Sequence, residues 1–355
     1  MCIRDSSNTV VTIDERLFLK GYRRLRPGIQ PELEIGRFLT EVAKFKHCVP
    51  VAGAVEYEAE DGTTLTLAML QAYVSNQGDG WAYTVGYLER YLEDRRTTHD
   101  EPPPDVHGAY LALVQVLGTR TAELHLAFSR PSGNPAFEPE PLTGTDVIAD
   151  REQASADLDA AMRLLEARIA DLPATVRDEA RAVLATRDRL LGRLAACADA
   201  PGKALKTRLH GDYHLGQVLL QNNDFLIIDF EGEPARSFEE RRAKRSPLRD
   251  VAGMLRSFDY ARWSALRRVA QEPSDVDRLA PLALRWRDEV QAAFLHAYDE
   301  AARGSGLYAS IAPGRGLLGL YEIEKVLYEL RYELANRPDW VQIPLRGLLE
   351  AAEPR

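Results

Sequence analysis

Residues able to do chemistry crowd into one short stretch of the chain. Leu209-His210-Gly211-Asp212-Tyr213-His214-Leu215-Gly216-Gln217 is followed by the apolar run Phe225-Leu226-Ile227-Ile228-Asp229-Phe230-Glu231. The second run reads as a strand that delivers a carboxylate at its end, and the first as a loop ahead of a hairpin. His210 and His214 alone would suit a metal pair, but no third ligand stands at a suitable spacing. Asp212 and Asp229, 17 residues apart, are the groups able to act as a general base and a hard-metal ligand. An amide, Gln217, follows Asp212 by five residues.

The spacing of Asp212, Gln217 and Asp229 resembles that of protein-kinase-like phosphotransferases. There a loop aspartate receives the acceptor hydroxyl proton, an amide five residues on helps hold magnesium, and a strand-end aspartate bridges metal and phosphates. The HGD-x-H form is similar to the aminoglycoside and small-molecule kinases, and HGDYHLGQVLL with IDFEGEP resembles the maltokinases. The strings RRAKRSPLRDVAGMLRSFDYA and YEIEKVLYELRYELANRPDW match that family as well, so the resemblance covers nearly all of residues 10–345.

By this resemblance Asp212 is the catalytic base, Gln217 and Asp229 are the magnesium ligands, and His210 fixes the loop through backbone hydrogen bonds. Gln217 replaces the Asn of ordinary protein kinases, and Glu231 the Gly of Asp-Phe-Gly. Asp250, in the turn before VAGMLRSF, caps that helix and holds the catalytic loop. Lys20 becomes the phosphate-contacting lysine, with Glu34 as its ion-pair partner and Glu32 as a weaker candidate. Backbone groups of Gln71, Tyr73 and Val74, in the strand leading to a hinge, face the adenine. The implied activity is transfer of phosphate from ATP, with Mg2+, to maltose in trehalose and glycogen metabolism, with a trehalose synthase as fused or associated partner. Alternatives are a kinase for another sugar or an aminoglycoside, or a non-catalytic pseudokinase module of that synthase. Kinase-like folds place two strands and a phosphate-covering loop before the lysine strand, whereas Lys20 follows only 19 residues. The expectation is a chain that starts inside the small lobe and lacks the N-terminal cap region of maltokinases.

A helix over about 320–335 can be read from angles of 100° per residue. Leu320, Ile323, Leu327, Leu330 and Leu334 share one sector, the core stripe, while Tyr321, Lys325, Tyr328 and Tyr332 gather opposite. Aromatic rings with polar tips suit sugar stacking and hydroxyl recognition, although a helix packed on both sides gives the same pattern. Glu329, Glu333, Asn336, Arg337 and Trp340 add polar and stacking groups near one end; together with Glu231 these are the expected substrate contacts, which the resemblance makes the acceptor-sugar wall. Gly314-Arg315-Gly316-Leu317-Leu318-Gly319 fits a dinucleotide fingerprint, but it follows a proline rather than a strand. The basic run Arg236, Arg241, Arg242, Lys244, Arg245 and Arg249 reads as a solvated or phosphate-facing segment.

Two lobes must position these groups. In the first, VVTI and RLFLKGY read as short strands, PELEIGRFLTEVAKF as a helix behind a proline, and Ala52–Tyr57 and Leu65–Val74 as strands joined at Asp61-Gly62. Alternation in Arg16-Leu17-Phe18-Leu19-Lys20 puts Phe18 and Lys20 on one face. After the polar SNQGDG the pattern turns to long amphipathic helices, so the expected boundary lies near 75: residues 1–75 a partial sheet lobe, 76–355 a helical lobe. Residues 146–198 read as a helical pair broken near Leu172-Pro173. The fold class is α+β, protein-kinase-like, with a reduced sheet lobe and a large helical lobe. With 45 Lys+Arg against 54 Asp+Glu, the net charge of -9 argues against a nucleic-acid partner. No run reaches the ~20 apolar residues of a membrane span. Cys2, Cys48 and Cys197 are too few and scattered for a disulfide framework, and cytoplasm is the expected location.

Overall fold

The structure, a computed structural model, describes residues 8–98, 102–196, 202–234, 236–309, 311–312 and 316–353. Cys2, Cys197, Gly314 and Arg315 lie outside them. Cys48 is a buried free thiol that burial pushes up to about 12.

The small sheet is made of β1 (Asn8–Ile13), β2 (Leu17–Tyr22), β3 (Val51–Glu58) and β4 (Thr64–Ala72), all antiparallel in the order β1-β2-β4-β3. Helix α1 (Pro31–Arg37) crosses between β2 and β3, and a π turn continues it over Phe38–Val42. Pro31 opens α1, where a missing N–H costs nothing, and the Gln30 side chain accepts the Glu32 N–H at 2.6 Å. Pairing of Lys20 with both Val10 and Met69 fixes the lysine strand in the middle of the sheet.

Helices dominate from α2 (Gly80–Thr97) onward. They are α3 (Gly108–Phe128), α4 (Gly144–Arg168), α5 (Ala174–Leu184), α6 (Arg187–Ala196), α7 (Phe238–Arg242), α8 (Leu248–Val269), α9 (Pro273–Ala302), α10 (Gly316–Asn336) and α11 (Gln342–Ala352). The stretch expected as one helical pair is three helices, because a second break falls at Ala185-Thr186, where the Thr186 hydroxyl donates to the Val183 carbonyl at 2.7 Å. The pair β5 (Glu140–Pro141) and β6 (Leu205–Lys206) ties down the chain ahead of the loop. The hairpin of β7 (Val218–Gln221) and β8 (Asp224–Ile227) turns at Asn222-Asn223, both left-handed with φ 51° and 60°. Asparagine tolerates this conformation, and the paired turn matches strand twist.

At the centre lies α8, buried along nearly its whole length, with α2, α9 and α10 against it and α3 along α9. The leucine stripe read from the sequence, Leu320, Ile323, Leu327, Leu330 and Leu334, is buried on α10. The basic run, read as a solvated or phosphate-facing segment, is largely paired with carboxylates of the chain. Arg242 binds Glu34, Lys244 binds Glu140, Arg236 binds Glu233, and Arg249 binds Asp150 and Glu324. Among the described residues no helix is long and apolar enough to cross a membrane.

Close packing of α3 on α9 depends on Gly118. A β-carbon there would meet the Phe294 carbonyl at 2.4 Å and the Ala297 side chain at 3.1 Å. Gly118→Ala is expected to destabilise by about 1–3 kcal/mol through overpacking. Gly192→Ala, on α6 with open space around it, should be neutral or stabilise by up to about 1 kcal/mol. Urea unfolding midpoints of the two variants check the contrast.

Candidate active site

The loop carrying Asp212 is held from below by one carboxylate. Asp250 sits in the first turn of α8 rather than at its cap, which is Pro247. Its oxygens accept the backbone N–H groups of His210 at 2.8 Å and Gly211 at 3.0 Å, and His125 Nε2 lies at 3.3 Å. Burial alone would raise this carboxyl, but the His125 contact and the loop amides hold it below its ordinary value. Gly211 takes φ 86°, and a β-carbon would stand 3.3 Å from Gly232, so the residue before Asp212 is glycine for both turn and clearance. The His210 imidazole, with Nε2 2.8 Å from the Ile228 carbonyl, ties the loop to the strand end that bears Asp229.

On one side of this loop is a cavity of about 530 Å³ lined by Lys20, Glu32, Gln71, Tyr73, Val74 and Asp229 among others. The Lys20 ammonium lies 3.0 Å from Glu32, 2.8 Å from Asp229 and 2.6 Å from Glu231. Burial opposes its charge, yet the carboxylates raise its pKa well above the usual value, so it stays protonated. Burial likewise opposes ionisation of Asp229, and Lys20 holds that carboxyl low. Asp229 itself is left-handed, φ 64°, which turns its side chain back toward Lys20 and the Gln217 amide at 3.1 Å. Glu32, Asp229 and Glu231 bring carboxylate oxygens within 4.8 Å of one another. These three carboxylates are a hard oxygen-donor set that fits Mg2+, and Gln217 stands beside them with its amide N–H on Asp229.

Two expectations are corrected here. The partner of Lys20 is Glu32, not Glu34: the residues differ by 200° around α1, and the one turned toward β2 is Glu32, which also accepts from Tyr22 at 2.7 Å. Glu34 points the other way, to Arg208 and Arg242. Glu231 joins the Lys20 cluster, where Asn8 also donates to it at 3.0 Å, and does not line the cavity around Lys325 and Tyr328. Gln71, Tyr73 and Val74 all line the cavity beside Lys20, with the Tyr73 N–H donating to the Arg16 carbonyl.

Across the loop a second cavity, of about 450 Å³, is lined by Asp212, His214, Tyr260, Lys325, Tyr328, Glu329, Tyr332, Glu333, Trp81 and others. Lys325 lies 3.4 Å from Asp212 and 3.1 Å from Glu233, and over the Tyr328 ring at 4.7 Å. Burial opposes its charge and the two carboxylates more than restore it. Tyr328 and Tyr332 stack with centroids 6.3 Å apart. Glu329 is clamped by Arg256 at 2.9 Å, and Glu333 accepts from Tyr260 at 3.2 Å and from Arg337. Burial raises both glutamates.

Asn336 lines this cavity as well, whereas Tyr321, Arg337 and Trp340 do not. Tyr321 is two turns before Tyr328, about 10 Å along the axis, and is buried with its hydroxyl on Asp150 and Arg249 over its ring at 4.3 Å. Arg337 stands behind Glu333, stacked on Tyr332 at 5.3 Å, and Trp340 lies beyond the helix end between Arg337 and Arg267. The sequence reading passed over Trp81, Tyr260 and Glu233. Trp81, directly after the polar SNQGDG at the start of α2, is the one with a local signal.

His214 lines the second cavity, with Nδ1 accepting the Gly216 N–H at 3.0 Å. Burial pushes its imidazole down to about 4. The unfolded chain binds this proton near 6.5, so the neutral ring stabilises the fold above that pH and the benefit is lost as pH falls toward 4. His107, pushed down to about 4 by burial, acts in the same direction. His214→Asn should therefore lose less melting temperature than the wild type between pH 7 and 4.5, which thermal unfolding across that range measures.

No protein-family model matches the chain. It is 29% identical over 355 residues to a glucosamine kinase of Streptacidiphilus jiangxiensis, covering 99% of this chain and 73% of that protein. To a glucosamine kinase of Mycolicibacterium smegmatis it is 27% identical over 298 residues, covering 82% of this chain and 64% of the other. A solved glucosamine kinase in complex with glucosamine, ADP and inorganic phosphate superposes with a TM-score of 0.72 at 23% identity, over 97% of this chain and 75% of that one. A second crystal form gives 0.73 at 22% identity, over 99% and 78%. The α+β architecture described above, a small sheet lobe over a large helical one, is thus the kinase-like fold of those solved structures.

Proposed function

We propose that the chain transfers the terminal phosphoryl group of ATP to a hydroxyl of a sugar, and that the acceptor is an amino sugar of the glucosamine class. The observation that carries this reading is the loop between the two cavities. It presents Asp212 to one, while Lys20 and Asp229 line the other, so donor and acceptor would meet across a single turn of chain. The names of the relatives point the same way.

Asp212 is the base that accepts the hydroxyl proton, and Lys325 beside it aims the carboxylate. Lys20, held by Glu32, is the cation that meets the phosphates. Asp229, Gln217 and Glu231 would hold magnesium, which when bound would supply charge neutralisation at the phosphates. Positioning and charge stabilisation then supply most of the rate, since little covalent work falls to the protein in such transfers.

The acceptor cavity is lined by Asp212, Glu329 and Glu333, which pair with Lys325, Arg256 and Arg337, so their oxygens offer hydrogen-bond acceptors rather than unbalanced charge. Those acceptors suit the amine and hydroxyl donors of an amino sugar. Maltose, which the sequence resemblance implies, is supported by the stacked tyrosines and a cavity larger than one sugar ring needs.

A coupled ADP-release assay with Mg2+ and ATP, run on glucosamine, glucose, maltose and kanamycin, tests the reading. Turnover with glucosamine is expected to exceed that with the others, and absence of turnover with every acceptor would overturn it. Asp212→Asn should lower kcat by about 10² or more. Glu333→Gln should reduce the preference for glucosamine over glucose several-fold while leaving the KM for ATP within about twofold; an unchanged preference would remove Glu333 from amine recognition.

A further inference from the structure

Glu34 makes one of the densest charge contacts in the protein, yet it touches neither Lys20 nor the cavities. Its carboxylate accepts from Arg208 Nη1 at 2.8 Å and from Arg242 Nε and Nη2 at 2.8 and 2.7 Å. Arg208 lies two residues before His210, on the chain that enters the Asp212 loop. Arg242 closes α7, beyond Asp229 and Glu231. Three segments distant in sequence therefore converge on one carboxylate: the small-lobe helix, the approach to the loop, and the segment after the metal-fitting strand end.

The partners are not casual surface ions. Arg208 is 1% exposed, lies over the Phe137 ring at 4.8 Å, and its Nε and Nη2 have no hydrogen-bond partner. Glu34 is the carboxylate with which it pairs. Removing one member of such a buried pair leaves an uncompensated charge, so the contact enforces where α1 sits. On the opposite side of the same short helix, Glu32 holds Lys20 and Tyr22. With seven residues and one cap, α1 has little stability of its own, and charge pairs on both faces fix its position.

We infer that Glu34 is a positioning residue: it docks α1 onto the large lobe and thereby sets where Glu32 holds Lys20 for the phosphates. This rests on the phosphotransfer reading only for its kinetic consequence. The structural consequence, a Lys20 that loosens when Glu34 is cut back, holds whatever the protein phosphorylates.

The test uses the full chain as wild type, Glu34→Ala, Glu34→Gln and Arg242→Ala, with two readouts. The first is the rate at which Lys20 is modified by an amine-reactive reagent in substrate-free protein, read by mass spectrometry. The second is steady-state kinetics against ATP and against the sugar. Glu34→Ala is expected to speed Lys20 modification several-fold and to lower kcat/KM for ATP about tenfold or more, with the KM for the sugar within about twofold; ångström-scale misplacement costs up to about 10² in such systems. Glu34→Gln, which keeps an acceptor oxygen, should fall between Glu34→Ala and wild type. Arg242 is half-exposed, and its variant carries the same test at smaller amplitude if Glu34→Ala does not fold. Unchanged Lys20 modification in Arg242→Ala and in any folded Glu34 variant overturns the inference, as does a melting temperature that drops while both readouts stay put. A wild type that transfers no phosphate sinks the functional reading alone, and Lys20 modification then decides the positioning role by itself.

Discussion

The buried carboxylate of Asp250 is the interaction from which the rest of the site hangs. It projects from the first turn of the central helix, where the helix dipole favours a negative charge, and takes two successive backbone N–H groups of the loop. Behind it, His125 bridges to the Tyr298 hydroxyl at 2.8 Å, so the anchor is braced by α3 and α9. Once His210 and Gly211 are fixed, the His210 ring fixes Ile228, and with it the strand end that carries Asp229. The loop and the strand end are thus located relative to the helical core before any ligand arrives.

A similar logic stiffens the second cavity. Asp259 on α8 pairs with Arg256 at 2.8 Å and Arg262 at 2.6 Å, and Arg256 in turn clamps Glu329 of α10. Buried ion networks of this kind add little net stability compared with apolar packing, but breaking one partner is costly. Their effect is to lock α8 and α10 in one register, which sets the distance between Tyr260 and the stacked tyrosines.

How much of this could be read from the chain depends on whether one residue's type settled its surroundings. The loop and strand end were legible because aspartates at fixed spacing around Gly211 and an apolar run leave few arrangements. Lys20 was legible through strand alternation and its neighbours. Glu34 was misread because two glutamates two residues apart on a short helix differ only in phase, and phase depends on which lobe each side of α1 meets. Tyr321 was misread for a related reason: it shares a face with Tyr328 but lies too far along the axis to line the cavity that holds Asp212. Trp340 lies past the end of α10, where angular periodicity no longer applies. The basic run looked solvated because its acidic partners, Glu34, Glu140, Asp150 and Glu324, come from four distant parts of the sequence.

The left-handed backbone of Asp229 carries a consequence for how such a protein can change over time. An L-residue with a side chain pays about 1 kcal/mol or more to sit there, and glycine pays almost nothing. At this position, then, the side chain best for holding the fold and the side chain that gathers Lys20 and Gln217 are different. A population screened for heat resistance alone would drift toward glycine, and a population screened for phosphate transfer would keep the strained carboxylate. Whichever residue lineages carry here reports which of those two pressures they have been under.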